Sequence, residues 1–110
     1  MEIDSILNKI VENLKPADPY KIVLFGSHAK GTATKDSDID LMVILDNDFV
    51  SKNCREFLRR NCKVRKLVDH VCPIDLIIYS KAEYERSKKR DSFLVYEVER
   101  TGRPIYEKYN

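Results

Sequence analysis

The stretch Lys21–Leu45, KIVLFGSHAKGTATKDSDIDLMVIL, decides how this chain is interpreted. It reads as an apolar strand, a Gly-Ser turn, a short polar helical segment and a second strand that opens with carboxylates. Side chains alternate between the two faces of a strand, so Asp38 and Asp40 are expected to share one face, roughly 6.5–7 Å apart along the chain. Two like charges held this close favour a cation between them.

Length and composition limit the possibilities. The chain has 110 residues, of which 43% are hydrophobic. This length suits one compact domain over residues 1–110, and the apolar fraction is enough for a real core. The net charge is only +2, from 20 basic and 18 acidic residues, so local charge is more informative about partners than overall charge.

Cysteine usage and hydropathy bear on the compartment. The three cysteines, Cys54, Cys62 and Cys72, are odd in number and lack a Cys-x-x-Cys spacing. We therefore expect neither a disulfide framework nor a zinc site, and a reducing, cytoplasmic location. The sequence has no long apolar run and no basic-then-apolar leader, so we expect neither a membrane span nor a signal peptide.

Hydrophobic periodicity predicts helices and strands on both sides of the opening stretch. The predicted helices cover Glu2–Lys15, a short segment from Ser27 to Lys30, residues 53–70, a stretch starting at Ser80 or Lys81, and a last helix around Phe93–Val98 that Gly102 can cap. The predicted strands are Tyr20–Phe25, Asp38–Leu45, Ile74–Tyr79 and a short final strand, Arg103–Tyr106.

Asp75 stands inside the apolar run VCPIDLIIY, where an ionised carboxylate needs a partner. If its strand lies beside the second strand, Asp75 can join Asp38 and Asp40. Three convergent carboxylates form an oxygen-rich site for a hard cation such as Mg2+. The alternative is a strand-end Asp75 that backbone donors or an Arg satisfy, with Asp38 and Asp40 as ordinary turn and strand-entry residues.

Gly26 and Ser27 supply groups that suit a phosphate. A glycine after a strand lets backbone N–H groups approach a phosphate closely, and the Ser27 hydroxyl can donate a hydrogen bond. Lys30 adds a positive charge nearby. A tight strand-to-helix turn without any ligand is the alternative. A Walker A loop is excluded, because Thr32 stands where that motif requires Lys.

The combination of G-S-x-A-[RK]-G, S-D-x-D-L and a later apolar strand with one Asp resembles the minimal nucleotidyltransferases of the DNA polymerase β-like superfamily. The matching residues are Gly26, Ser27, Ala29, Lys30, Gly31, Ser37, Asp38, Asp40, Leu41 and Asp75. The family commonly has Arg where Lys30 stands; Lys keeps the charge but loses bidentate phosphate contact.

The resemblance implies an α+β nucleotidyltransferase fold with a small mixed β-sheet flanked by helices. It also implies transfer of AMP from ATP with release of pyrophosphate. Asp38, Asp40 and Asp75 would be the catalytic residues and would hold two Mg2+ ions, and Asp75 would help to deprotonate the acceptor hydroxyl. The nucleotide-binding residues would be Gly26, Ser27, Lys30 and Ser37.

The size of the chain is similar to that of the antitoxin half of HEPN–MNT toxin–antitoxin pairs, of the MntA type. The implied partner is a HEPN-domain toxin, with a Tyr hydroxyl as the implied AMP acceptor. The sequence is also compatible with a homo-oligomer. Two alternatives remain: a non-catalytic antitoxin that acts by occlusion, and a small RNA-binding adapter.

Two clusters of basic residues bear on the adapter alternative. They are either solvated helix faces or a docking surface for an acidic partner or RNA, and no RNA-binding aromatic motif supports the nucleic-acid version. They comprise Lys52, Arg55, Arg59, Arg60, Lys63, Arg65 and Lys66, and then Arg86, Lys88, Lys89 and Arg90.

Overall fold

The computed structural model describes residues 2–109. Five α-helices and four strands follow one another in an order that alternates the two types until the last helices. They are α1 (Ile3–Leu14), β1 (Pro19–Phe25), α2 (Ser27–Lys30), β2 (Ile39–Leu45), α3 (Cys54–Arg65), β3 (Ile74–Ser80), α4 (Lys81–Lys89), α5 (Phe93–Thr101) and β4 (Arg103–Glu107), with a 3-10 turn at Lys15–Ala17. No helix within residues 2–109 is both long and apolar enough to cross a membrane.

The four strands form one mixed sheet in the order β3-β2-β1-β4. β1 lies antiparallel to both β2 and β4, whereas β2 and β3 run parallel. A parallel pair needs a crossover connection, and α3 lies in the segment that joins β2 to β3. The expected α+β fold with a small mixed sheet flanked by helices is therefore confirmed.

The alternation of β2 gives the sheet two apolar faces. The odd-numbered residues from Ile39 to Leu45 pack in one cluster with α1 and with Val64 and Val68. Met42 and Ile44 lie in the second cluster, with Val98 of α5. The face that carries Met42 and Ile44 is also the face of Asp40, so the carboxylate lies at the end of the layer between the sheet and α5.

The structure corrects three details of the sequence prediction. The helix expected over residues 53–70 ends at Arg65 and continues as turns to residue 71. Asp38 precedes β2 rather than belonging to it. Gly102 does end α5, but at a φ of −73°; its need for glycine is spatial, because a Cβ there would overlap the Val98 carbonyl oxygen.

β3 is an edge strand, and two arginines of α3 bind its backbone. Arg60 Nη2 donates to the carbonyl oxygen of Ile78 at 3.0 Å, and Arg65 Nη2 donates to that of Leu76 at 3.2 Å. Arg60 also pairs with Glu83 of α4. These contacts satisfy acceptors along an edge that could otherwise pair with another chain.

Candidate active site

The residues singled out by the sequence meet at one end of the sheet. Gly26 and Ser27 directly follow β1, and Phe25 pairs with Asp40 across the antiparallel β1–β2 ladder. Asp40 in turn pairs with Asp75 across the parallel β2–β3 ladder. The end of β1 and the starts of β2 and β3 therefore bring the Gly-Ser turn and two carboxylates to one edge, as the sequence predicted for Asp40 and Asp75.

The two paired carboxylates interact directly. Burial raises the pKa of the Asp40 carboxyl, and the charge of Asp75, a hydrogen bond with Asp75 and the charge of Asp38 raise this pKa further. The neighbouring His28 lowers it. The ionised form of Asp40 is thus disfavoured in the protein alone, the situation that a bound cation would reverse.

Asp38 and Asp75 are both exposed, whereas Asp40 is half-buried. The apolar run around Asp75 indicated a position where an ionised carboxylate needs a partner, but β3 is an edge strand and Asp75 is exposed to water despite its apolar neighbours. Asp38 is near enough to act on Asp40 electrostatically but stands just outside the strand. Within residues 2–109, no three His, Cys, Asp or Glu side chains converge closely enough to form a ready metal-binding group.

Two features require a glycine at residue 26: its backbone conformation and the closeness of the Asp40 side chain. Its φ of 72° and ψ of −154° lie in a region that is essentially restricted to glycine. A Cβ at this position would overlap Asp40 Oδ2 and stand 3.1 Å from the carboxyl carbon. The absence of a side chain at residue 26 thus makes room for the Asp40 carboxylate.

The short helix after Gly26 carries Ser27 and Lys30. The amides of Ala29 and Lys30 both donate to the Gly26 carbonyl oxygen, at 3.2 and 3.1 Å, and these two bonds close the single turn. Ser27 is half-buried beside Gly26. Lys30 Nζ lies 3.9 Å from a carboxylate oxygen of Glu97 on α5, which also pairs with Arg100, so the lysine is drawn toward α5.

Ser37 shapes the loop before Asp38. Its hydroxyl accepts a hydrogen bond from the Thr34 amide at 2.9 Å, and its own amide donates to the Thr34 carbonyl oxygen at 3.1 Å. His28 Nε2 contacts the Ser37 carbonyl oxygen at 3.2 Å. His28 was missed by the sequence analysis because it occupies the variable position of the G-S-x-A motif, where no single residue type is expected.

The first basic cluster divides into two groups in the structure. Arg60 and Arg65 donate hydrogen bonds to carbonyl oxygens of β3. The remaining five residues of that cluster, Lys52, Arg55, Arg59, Lys63 and Lys66, are all exposed.

Comparison with known proteins adds independent evidence. The model of the nucleotidyltransferase domain family matches residues 3–105. A Methanocaldococcus jannaschii protein named "Putative protein adenylyltransferase" is 50% identical over 50 residues, which are 43% of this chain and 48% of that protein. The chain thus spans about half the length of this relative.

Solved structures share the fold. A crystal structure of a toxin–antitoxin with AMP-PNP superposes with a TM-score of 0.59 at 23% identity, covering 94% of this chain and 74% of that one. A mutant of the toxin–antitoxin MntA-HpeT superposes with a TM-score of 0.56 at 19% identity, over the same shares of the two chains. Since the family model spans nearly the whole sequence and the topology agrees, this chain belongs to the nucleotidyltransferase domain family.

Proposed function

We propose that this chain is a nucleotidyltransferase that moves AMP from ATP to a hydroxyl group of a partner protein. The observation that carries the proposal is the pairing of Asp40 with Asp75 beside the Gly26–Ser27 turn. Membership in the nucleotidyltransferase domain family supports the reaction class, and the matching segment of a relative named for protein adenylylation supports the acceptor class.

Mg2+ fits the donor set of this site. Carboxylate oxygens are the ligands that Mg2+ prefers. Burial, followed by the charges of Asp75 and Asp38, raises the pKa of Asp40, and a cation would offset the repulsion between these charges. In our proposal Asp40 and Asp75 would hold the metal, with Asp38 as the third carboxylate, and the family resemblance implies two such ions. The metal would supply charge neutralisation on the phosphates when bound.

Residues of the chain would bind the triphosphate and accept the proton of the acceptor. The Ser27 hydroxyl and the backbone at Gly26 bind the triphosphate, and Lys30 contributes positive charge. The acceptor oxygen attacks the α-phosphorus and forms a new P–O bond. The bond from the α-phosphorus to the bridging oxygen of the β-phosphate breaks, so pyrophosphate leaves with the bonding electrons. The acceptor proton passes to the exposed Asp75 carboxylate.

The openness of the site is compatible with an acceptor on another protein. Asp38 and Asp75 face solvent, so a hydroxyl on another protein can reach them. We propose that the partner is a HEPN-domain toxin, that its acceptor is a Tyr hydroxyl and that modification neutralises it. This part of the proposal rests on the resemblance to the antitoxins of toxin–antitoxin pairs.

We also propose a cytoplasmic location. The three cysteines are free thiols, which is consistent with a reducing compartment such as the cytoplasm.

The decisive experiment uses ATP labelled at its α-phosphate, Mg2+ and the protein encoded beside this one. The native chain is compared with the Asp38→Asn, Asp40→Asn double variant. We expect label on the partner only with the native chain, and mass spectrometry should find the added AMP on a Tyr.

Two other results would replace the proposal. A tight complex with both versions and no transfer of label would indicate an antitoxin that acts by occlusion. RNA binding that weakens steeply with salt, without a protein complex, would indicate the RNA-binding adapter.

A further inference from the structure

The loop between α2 and β2 carries Asp38, one of the three carboxylates of the candidate site. Few contacts fix the position of this loop. Residues 32–38 are mostly exposed and form neither helix nor strand. Inside the loop, Thr34 and Ser37 exchange backbone and hydroxyl hydrogen bonds that close a turn. These bonds fix the shape of the turn, but they leave open where the turn sits relative to the sheet.

A cavity lies between this loop and helix α1. The cavity has a volume of about 500 Å³, and its walls include the loop from Thr34 to Asp38, the apolar Ile3 and Ile6 of α1, and Pro73. Most of the loop residues that line this cavity are exposed, so few packing contacts hold the loop in place. The position of the loop therefore depends on hydrogen bonds to its neighbours more than on burial.

His28 supplies such a bond. Its ring is half-buried at the edge of the same cavity, and Nε2 lies 3.2 Å from the carbonyl oxygen of Ser37, nine residues away. A carbonyl oxygen can only accept, so Nε2 must carry the proton and donate it. At the other end of the loop, the Thr32 amide donates to the Ser27 carbonyl oxygen at 3.0 Å. The loop is thus attached to α2 near both of its ends.

The bonded carbonyl belongs to the residue immediately before Asp38. A site that binds a metal and a triphosphate tolerates displacements of only about 0.5 Å. We propose that His28 is a positioning residue: its bond to the Ser37 carbonyl holds Asp38 at the distance from Asp40 that the site requires. His28 itself would touch neither nucleotide nor metal. The consequence for nucleotide binding rests on the proposed function; the consequence for the loop does not.

Three substitutions separate this role from alternatives. His28→Phe keeps the ring but removes the donor, His28→Gln keeps a donor at similar reach, and His28→Asn keeps polarity but is too short. The matched control is His70→Phe, which removes the other histidine of the chain at an exposed position. If His28→Phe fails to fold, His28→Asn tests the same bond without adding apolar surface.

The first measurement is amide hydrogen exchange over residues 32–39 without nucleotide. We expect exchange about five- to tenfold faster in the Phe and Asn variants, which is the usual effect of losing one hydrogen bond, and within about twofold of native in the Gln variant. Native-like protection in all three variants would overturn the proposal. Equally fast exchange in the Gln and Phe variants would overturn it too, because the donor would then be irrelevant.

The second measurement is calorimetric binding of a non-hydrolysable ATP analogue over a range of Mg2+ concentrations. We expect the Phe and Asn variants to need about five- to tenfold more Mg2+ for half-saturation, and the Gln variant to behave like the native chain. A merely structural role would lower the melting temperature without changing the Mg2+ requirement. Failure of the native chain to bind the analogue would count against the proposed function, whereas the exchange result would still decide the role of His28.

Discussion

Gly26 and Asp40 occupy complementary positions: the carboxylate of Asp40 fills the space where a side chain of residue 26 would stand. The two residues come from adjacent antiparallel strands, with Phe25 paired directly to Asp40. The tight strand-to-helix turn and the placement of the carboxylate are therefore one structural requirement. The glycine of the Gly-Ser turn is therefore needed to place the Asp40 carboxylate, in addition to any role in binding phosphate.

Gly26→Ala should cost both stability and activity. The backbone conformation of Gly26 is unfavourable for alanine by roughly 1–3 kcal/mol, and the new methyl group must displace the Asp40 carboxylate. We expect a lower free energy of unfolding by that amount and a loss of AMP transfer of at least about 100-fold, the usual cost of removing one electrostatic group.

The control for this prediction is Gly31→Ala. Gly31 also has a positive φ, 76°, but a Cβ there would meet nothing within 4 Å. It should lose about 1 kcal/mol of stability and retain most of the activity. Equal losses of activity in the two alanine variants would contradict the link between Gly26 and Asp40.

Asp40→Asn should stabilise the protein while it abolishes function. The pKa of Asp40 is raised by burial and by Asp75, so the folded state binds a proton more tightly than the unfolded state does. At neutral pH the ionised carboxylate therefore destabilises the fold, and the destabilisation fades as the pH falls through the folded pKa. An amide removes the charge and can donate to Asp75.

Thermal melting tests this prediction. We expect a higher melting temperature for Asp40→Asn without ligand at neutral pH, and stabilisation by Mg2+ with an ATP analogue only in the native chain. Asp36→Asn, an exposed change in the neighbouring loop, should alter neither. A lower melting temperature for Asp40→Asn would mean that the carboxylate makes favourable contacts that outweigh its repulsion.

The sequence was most informative where a chemical requirement restricts residue type. Side-chain alternation holds along β2, where Ile39, Leu41 and Val43 pack on one face, and the apolar run around Ile74 correctly indicated a strand. The sequence also indicated that Asp75 can join Asp40 if the two strands are neighbours; the structure shows that they are and supplies the register that pairs the two residues.

The sequence was less informative where position in the sheet decides. The exposure of Asp75 depends on β3 being an edge strand, which the local pattern of an apolar run does not reveal. The hydrogen bonds of Arg60 and Arg65 to β3 could not be predicted, because charge alone does not distinguish a residue that binds backbone carbonyls from a solvated one.

Glu83 should make the free energy of unfolding fall at acidic pH. Burial would raise the pKa of its carboxyl, but the amides of Ser80 and Ser51 and the Arg60 guanidinium outweigh burial and lower it. The carboxylate therefore stabilises the fold above its unfolded pKa, near 4.5, and this stabilisation is lost as the pH falls through the lower folded value.

The test is Glu83→Gln, followed by chemical denaturation across pH. At neutral pH we expect a loss of roughly 2–4 kcal/mol, because Arg60 keeps its charge without a carboxylate partner. The difference from the native chain should shrink as the pH falls below about 4.5. Glu85→Gln, on the exposed side of the same helix, should show no such difference. A pH-independent gap would assign the loss to packing instead of charge.

Arg65 and Arg59 provide the sharpest test of how the basic cluster divides. Both side chains are exposed, but Arg65 donates to the Leu76 carbonyl oxygen on edge strand β3. Arg65→Ala should lower the free energy of unfolding by about 1 kcal/mol, the net value of one hydrogen bond, and should increase concentration-dependent association because it uncovers an edge acceptor. Arg59→Ala should leave both properties unchanged. If the two variants instead lose stability equally, the arginines act through a shared electrostatic effect of the helix, and the protection of β3 must come from the body of α3 alone.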